Sequence, residues 1–375
     1  MRIGFDAKRA FFNIRGLGNY SRDTIRVLES NVPENEYYLF TPGNKGRAGW
    51  LPPESCKIVT PSGFPYSLFP ALWRSYGCHK EMESLHLDLY HGLSNEIPYG
   101  IKGKVPSVIT MHDVIFLKYP EFYPWIDRYT FRKKYTHSCL AADRIIAISE
   151  QTKIDLIEWI GADESKIDVV YQGCNPMFHQ EVNEEKKQQV RERYMLPSEF
   201  MLIVCAIERR KNHEIILEAM HRCKSDLPLV IIGRSSEYKQ TLLSLIEKYG
   251  LQNRVILLHD VPTADLPAIY RAASLFVYPS HFEGFGIPIL EAMTSGLPVI
   301  TSKGSCFAET GGDAARYVNQ EDADELAAVM DEVLMDSALS AQMVEKGYKQ
   351  SFKFSDEIIA KSFMEVYAKT IKERK

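Results

Sequence analysis

Tyr278-Pro279-Ser280-His281-Phe282-Glu283-Gly284-Phe285-Gly286-Ile287-Pro288-Ile289-Leu290-Glu291-Ala292-Met293 reads as the end of a buried strand, a glycine-bearing turn and the opening of a helix. The apolar run at 274–278 predicts the strand, and the pattern over 286–295 predicts the helix. Its glycines let backbone approach a ligand closely, and the open N–H groups of a helix start favour an anion such as a pyrophosphate. A turn of this kind belongs at the carboxyl end of a strand in a parallel sheet.

Outward from that turn the same unit recurs. Strands are predicted at 200–206, 228–233, 254–258 and 297–301, separated by helices at 211–223, 236–249 and 264–272. Towards the N-terminus, strands near 2–6, 36–41, 88–91, 105–111, 144–148 and 167–171 alternate with helices near 17–31, 70–85, 123–141 and 150–159. This alternation is the pattern of parallel sheets covered by helices on both faces, so the fold class is α/β. Between 173 and 200 the rhythm breaks at Cys174-Asn175-Pro176 and the charge-rich run 181–187, before Phe200-Met201-Leu202-Ile203-Val204 restarts it. The chain therefore divides into 1–175 and 176–355. The last helix, 356–375, is assigned to the first lobe, although periodicity alone does not say where its apolar Ile358, Ile359, Phe363, Val366 and Tyr367 pack.

At 375 residues the chain suits two domains of common size, with a cleft between lobes as the first place to look for a site. A net charge of −4 gives no global basic field for nucleic acid or anionic lipid, so any phosphate binding is local. Seven scattered cysteines without a C-x-x-C pair read as reduced thiols, neither a disulfide framework nor a zinc site. The N-terminus runs straight into a strand, and no run approaches the roughly 20 apolar residues that span a bilayer, which points to a cytoplasmic protein.

Several residues can carry chemistry. Glu283 lies in the turn and Glu291 about two helical turns later, so two carboxylates can face one ligand from different depths and accept hydroxyls of a sugar and a ribose. The alternative for an isolated pair is a capping Glu283 and a solvated Glu291. His112, with Asp113 beside it, ends the strand-like Val108-Ile109-Thr110-Met111. Gly16 and Gly18 read as a loop between strand 2–6 and its helix, open to a diphosphate or an acceptor, with Arg15 alongside; the third glycine of a dinucleotide fingerprint is missing. The basic, aromatic run 128–134 suits a membrane surface or a lipid-linked acceptor, against the plainer reading of a solvated helix face. Asp322 and Asp324 complete a D-x-D by spacing, in a helical surface stretch.

Pro279-Ser280, Glu283-Gly284-Phe285-Gly286, Pro288, Glu291-Ala292-Met293, Gly296 and Pro298 together closely resemble the two-glutamate signature of retaining glycosyltransferase family 4, whose fold is GT-B. The resemblance extends to Glu208-Arg209-Arg210-Lys211-Asn212, Gly233, His112-Asp113 and Gly16-Leu17-Gly18-Asn19-Tyr20, and so covers nearly the whole chain. It implies two Rossmann-like domains facing each other across a cleft, with the acceptor on the first and a nucleotide sugar on the second. It also implies that Glu283 and the backbone of Phe285-Gly286-Ile287 hold donor sugar and diphosphate, that Glu291 takes the ribose, that Gly233 borders the donor, and that His112 contacts the donor sugar. Negative charge grows on the departing diphosphate, and Lys211 beside Arg210 is the cation for it. Many members carry Gly-Arg where this chain has Cys205-Ala206, leaving Arg210 or Arg209 as substitute, and His259 stands where a glycine is common. Glu309 falls in another stretch typical of the family, where a structural turn is an equal reading.

The expected activity is transfer of a hexose, with retention and without metal or other cofactor, from GDP-mannose or a UDP-sugar to a sugar or lipid-linked acceptor in cell-surface polysaccharide synthesis, with weak peripheral membrane contact and no nucleic-acid partner. The competing readings are a sugar-nucleotide epimerase or a phosphorylase of related fold, and a non-catalytic sugar-nucleotide scaffold.

Overall fold

The computed structural model of the chain describes residues 1–46, 48–234 and 236–374. It divides into two compact units, one made of Met1–Gly173 with Ser355–Lys375 and the other of Cys174–Phe354.

The first unit is built on a parallel sheet of β1 (Arg2–Asp6), β2 (Glu36–Phe40), β3 (Lys57–Val59), β4 (Leu89–Gly92), β5 (Ser107–Met111), β6 (Arg144–Ala147) and β7 (Ile167–Val169), in the order β3-β2-β1-β4-β5-β6-β7. β4, β5 and β6 are buried at every position, as expected of strands with helices on both faces. β2 follows on one side of β1 and β4 pairs on the other, so the strand order reverses between β1 and β4 and their carboxyl ends border a crevice. The C-terminal helix Asp356–Arg374 packs on the helix Gly16–Asn31, with Phe363, Val366 and Tyr367 buried.

The second unit carries β8 (Met201–Val204), β9 (Leu229–Ile232), β10 (Val255–Leu258), β11 (Leu275–Tyr278), β12 (Val299–Ser302) and β13 (Ala315–Val318), all parallel, in the order β10-β9-β8-β11-β12-β13. Here the switch point lies between β8 and β11, the two strands whose following turns hold the signature residues.

Some local expectations change. Gly16 and Gly18 are not in a loop: they lie in the first turn of the helix Gly16–Asn31, where a Cβ on Gly18 would come within 1.7 Å of the Asn13 carbonyl oxygen. A glycine is required there by the tight approach of the preceding turn. Segment 70–85 is not one helix but Pro70–Leu72, a wider π turn Trp73–Gly77 and His79–Ser84. The charged run at 181–187 leads into the helix Glu184–Tyr194, capped by Asn183 Oδ1 on the Lys186 N–H at 2.8 Å. β3 and β13 went unpredicted; β3 is short and largely exposed, which leaves little apolar pattern to read. No helix among the described residues is long and apolar enough to cross a membrane.

Candidate active site

In the second unit, β8 runs through Cys205 to a 3-10 turn, Arg209–Lys211, and then to the helix His213–Arg222. Asn212 joins turn and helix in the left-handed region, with φ of 56°. Its Nδ2 donates to the Pro279 carbonyl at 3.2 Å and the Gln320 carbonyl at 2.8 Å, while the His281 N–H donates to the Arg210 carbonyl at 3.0 Å. These bonds tie the turn after β8 to the turn after β11.

The result is a buried ionic cluster. Lys211, 8% exposed, sets Nζ 2.5 Å from Glu283 Oε1 and donates to the Tyr278 hydroxyl at 2.8 Å. Arg210 reaches Glu283 Oε2 at 3.0 Å, Glu208 at 2.8 Å and the Phe282 carbonyl at 2.6 Å. Ser280 Oγ and the Tyr278 hydroxyl also donate to Glu283 Oε1, at 2.7 and 3.0 Å. Burial alone would push the Glu283 carboxyl up, but Arg210 and then Lys211 outweigh it and hold it down at about 2. Glu283 is thus a fixed anion that positions two cations.

After Glu283 the chain turns through Gly286, whose φ is 105°, into the helix Ile287–Thr294. In its first turn Pro288 has no N–H and the Ile289 N–H already donates to the Gly286 carbonyl at 2.9 Å, so the N–H groups of Gly286 and Ile287 are the ones this helix start can turn to an anion. Phe285 is buried and its carbonyl accepts from Thr310 Oγ1 at 2.5 Å, which fixes the entry to the turn. Glu291 lies further along the helix, where Tyr270 donates to its Oε2 at 3.0 Å. Burial raises its carboxyl to about 7, the Tyr270 bond opposing. Two glutamates with opposite shifts therefore flank one turn. Gly233 has a packing reason of its own, since a Cβ there would sit 1.7 Å from the Cys205 carbonyl oxygen. Asp324 is exposed and pairs with Arg222, and Asp322 caps its helix.

His112, in the first unit, follows β5 and is buried. Its Nε2 lies 2.9 Å from the Leu93 carbonyl and its N–H donates to Asn95 Oδ1 at 2.8 Å. Burial lowers the ring to about 4, so it is neutral at pH 7; with Nε2–H given to the carbonyl, Nδ1 keeps a lone pair. Tyr20 packs edge-on against it, ring centroids 4.4 Å apart.

Two family models match the sequence, Glycosyltransferase Family 4 over residues 14–178 and Glycosyl transferases group 1 over residues 182–350. The chain belongs to glycosyltransferase family 4. O-antigen chain mannosyltransferase B of Escherichia coli is 28% identical over 272 residues, which are 71% of this glycosyltransferase and 70% of that relative. The serotype-specific mannosyltransferase WbdA of the same organism is 30% identical over 259 residues; the match takes in 66% of this chain but only 32% of WbdA. Among solved structures, sucrose-phosphate synthase from Thermosynechococcus elongatus superposes with a TM-score of 0.78 at 21% identity, covering 98% of each chain, and that likeness speaks to the GT-B fold.

Within this glycosyltransferase, sequence reasoning brought Lys211, Arg210 and Glu283 to one ligand but did not foresee their direct pairing. It also missed Tyr278, Ser280, Asn212 and Tyr270, which hold them. Tyr278 and Ser280 flank the strand end inside the quoted signature, so position was the available signal. Tyr270 lies on another helix, Leu266–Ala272, and only the fold brings it to Glu291.

Proposed function

We propose that this glycosyltransferase moves a hexose, with retention and without metal, from a nucleotide diphosphate sugar to a hydroxyl of a sugar or lipid-linked oligosaccharide in cell-surface polysaccharide synthesis. Mannose from GDP-mannose is the first candidate donor, because the relatives just described are mannosyltransferases; a UDP-sugar is the second. The observation that carries the reading is the buried pair Lys211 and Arg210, held on Glu283 at the carboxyl edge of β8 and β11 beside the open helix start at Gly286. That edge offers cations and N–H groups to a diphosphate whose charge grows as the glycosyl bond breaks. Glu291 takes the ribose diol. His112 accepts a sugar hydroxyl on Nδ1, and its neutrality suits a hydrogen-bond acceptor better than a proton-transfer group. The leaving phosphate takes the acceptor's proton.

The test is incubation with each common nucleotide sugar in EDTA, following thermal stabilisation and slow release of nucleoside diphosphate. One donor should respond, the response should vanish in Lys211→Ala and Glu291→Ala, and the product formed with an acceptor should be the α-anomer. Silence from every donor, dependence on added metal, or a β-product would overturn the reading.

A further inference from the structure

The carboxyl edge of the second unit's sheet is filled on one side of the charged cluster and open on the other. Beyond β12, Ser302 Oγ donates to the Ser280 carbonyl at 2.8 Å, and Ser305 Oγ and Cys306 Sγ reach the Glu283 carbonyl at 3.2 and 3.3 Å. Beyond β13, the Gln320 carbonyl takes Asn212 at 2.8 Å. Towards β9 and β10 the residues are small. Cys205 and Ala206 follow β8, the first half-buried and the second exposed, and Gly233 follows β9 with its backbone pressed on the Cys205 carbonyl. Glu291 leans to this same half of the sheet. Tyr270, which holds it at 3.0 Å, lies on the helix Leu266–Ala272 that carries the chain from β10 across to β11. A nucleoside with its ribose on Glu291 therefore has room to extend over the ends of β8, β9 and β10, and none over β12.

At the far end of that small-residue floor stand Lys239 and His259. His259 follows β10 directly, with Nδ1 2.8 Å from the Gly233 carbonyl and Nε2 3.1 Å from Lys239 Nζ. A carbonyl only accepts, so Nδ1 carries the ring proton and the Nε2 lone pair receives one ammonium N–H. Two N–H groups of Lys239 remain, and it makes no ion pair among the described residues. Lys239 opens the helix Lys239–Lys248, where a cation opposes the helix dipole, so helix stability does not account for a lysine at that position. Neighbouring strands lie about 4.8 Å apart, which puts the end of β10 about 10 Å from the end of β8 and the turn that bears Arg210 and Lys211. That is the reach of a nucleoside from its own diphosphate.

We propose that Lys239, held in place by His259, reads the O6 and N7 edge of guanine, and so restricts this glycosyltransferase to GDP-linked donors. Two donors on one fixed cation match the two neighbouring acceptors of that edge. Adenine sets an amino donor where guanine has O6, and uracil offers a single carbonyl, O4, with no second acceptor beside it. Lys239 is the contact to the base. His259 is a positioning residue, which holds the ammonium over the end of β9 through the Gly233 carbonyl. The inference rests on the nucleotide-sugar reading above and goes beyond it by choosing the base and the side chain that selects it.

Calorimetric titration of GDP, IDP, ADP and UDP into the full chain tests this. GDP and IDP, which share O6 and N7, should bind about tenfold or more tighter than ADP and UDP. Lys239→Met should bring GDP down to the level of UDP and leave UDP where it was, at an unchanged melting temperature. Lys239→Arg, whose guanidinium serves the same two acceptors, should keep most of the preference, and His259→Gly should reduce it by a smaller factor than Lys239→Met. UDP binding tighter than GDP in the wild type overturns the proposal. So does a loss of IDP binding, which would move recognition to the 2-amino group, and so does a Lys239→Met protein that keeps its preference or loses all four nucleotides alike. Each of these outcomes leaves the nucleotide-sugar reading standing, whereas silence of all four nucleotides with the wild type removes that reading and this one together.

Discussion

Lys211 and Glu283 meet at 2.5 Å, on a carboxylate whose other oxygen takes Arg210 at 3.0 Å. A carboxyl held at about 2 contributes stability above its ordinary value of roughly 4.3, and that contribution is lost as pH falls from there towards 2. Glu283→Gln strands two buried cations, so it should cost about 3–5 kcal/mol at pH 7, while Lys211→Ala should cost less because Arg210 still pairs with the carboxylate. Urea unfolding at pH 7 and pH 3 reads both. The variant should also lose part of the acid sensitivity of the wild type; equal acid sensitivity in the two proteins would sink the argument.

Glu291 carries the opposite sign. Its carboxyl is raised to about 7, so the stability tied to it is fully present below the ordinary carboxylate value and is lost as pH rises to 7. Glu291→Gln should therefore be more stable than wild type at pH 8 and nearly equal at pH 4, by thermal melts. Donor binding should run the other way. A ribose diol donates to the ionised form, so affinity for the nucleotide should tighten between pH 6 and pH 8 in the wild type and stay flat in the Gln variant. Calorimetry at both pH values checks this, and an identical slope in the two proteins would remove Glu291 from the ribose.

The two sheets were legible because buried parallel strands write nearly continuous apolar runs, as β8, β9 and β11 do. β3 was not, because an exposed three-residue edge strand needs no such run. The signature turn was legible as a ligand-binding element because strand end, glycine and helix start are contiguous in the chain. Its inner wiring was not, since Lys211 and Glu283 are 72 residues apart and meet only when β8 and β11 become neighbours. Gly16 and Gly18 misled for a physical reason. Glycine near a helix start marks either an open loop or a close backbone approach, and it is the fold that presses the Asn13 carbonyl against Gly18.

Gly286 tests the turn without touching its charges. Its φ of 105° strains any L side chain, and a Cβ would lie 3.2 Å from Ile289 Cδ1. Gly286→Ala should cost about 1–2 kcal/mol in stability. It should also weaken nucleoside diphosphate binding, because the N–H groups of the first turn shift with the backbone. The decisive comparison is with Gly304→Ala, also at positive φ but with open space around its Cβ. That variant should share the strain but not the binding loss, as measured by calorimetry. Comparable binding losses in both would mean that the effect is backbone strain at large and not the geometry of the donor turn.

Tyr367 ties the C-terminal helix to the first unit's sheet, alongside ion pairs such as Arg26–Asp356 and Arg144–Glu373. Its hydroxyl lies 2.7 Å from His91 Nδ1, His91 Nε2 lies 2.8 Å from Thr110 Oγ1, and Thr110 meets the Tyr20 hydroxyl at 3.0 Å. The row ends where the Tyr20 ring packs on His112. Burial, reinforced by His112, drives the His91 ring down to about 3, so it stays neutral and can bond on both nitrogens. A lowered histidine gives stability that is complete above about 6.5 and is lost as pH falls through the acid range. Tyr367→Phe leaves one buried ring nitrogen without a partner, at a cost of about 1–3 kcal/mol. It keeps the ring that packs against Phe363, so the helix should remain docked but open more often. Hydrogen exchange across 356–374 should quicken relative to the helix Gly16–Asn31, and the melting temperature should fall at pH 7, where the His91 ring is neutral and bonds on both nitrogens. If exchange in the C-terminal helix were unchanged, the helix would be held by its apolar face and its ion pairs, and the hydroxyl row would be incidental to its docking.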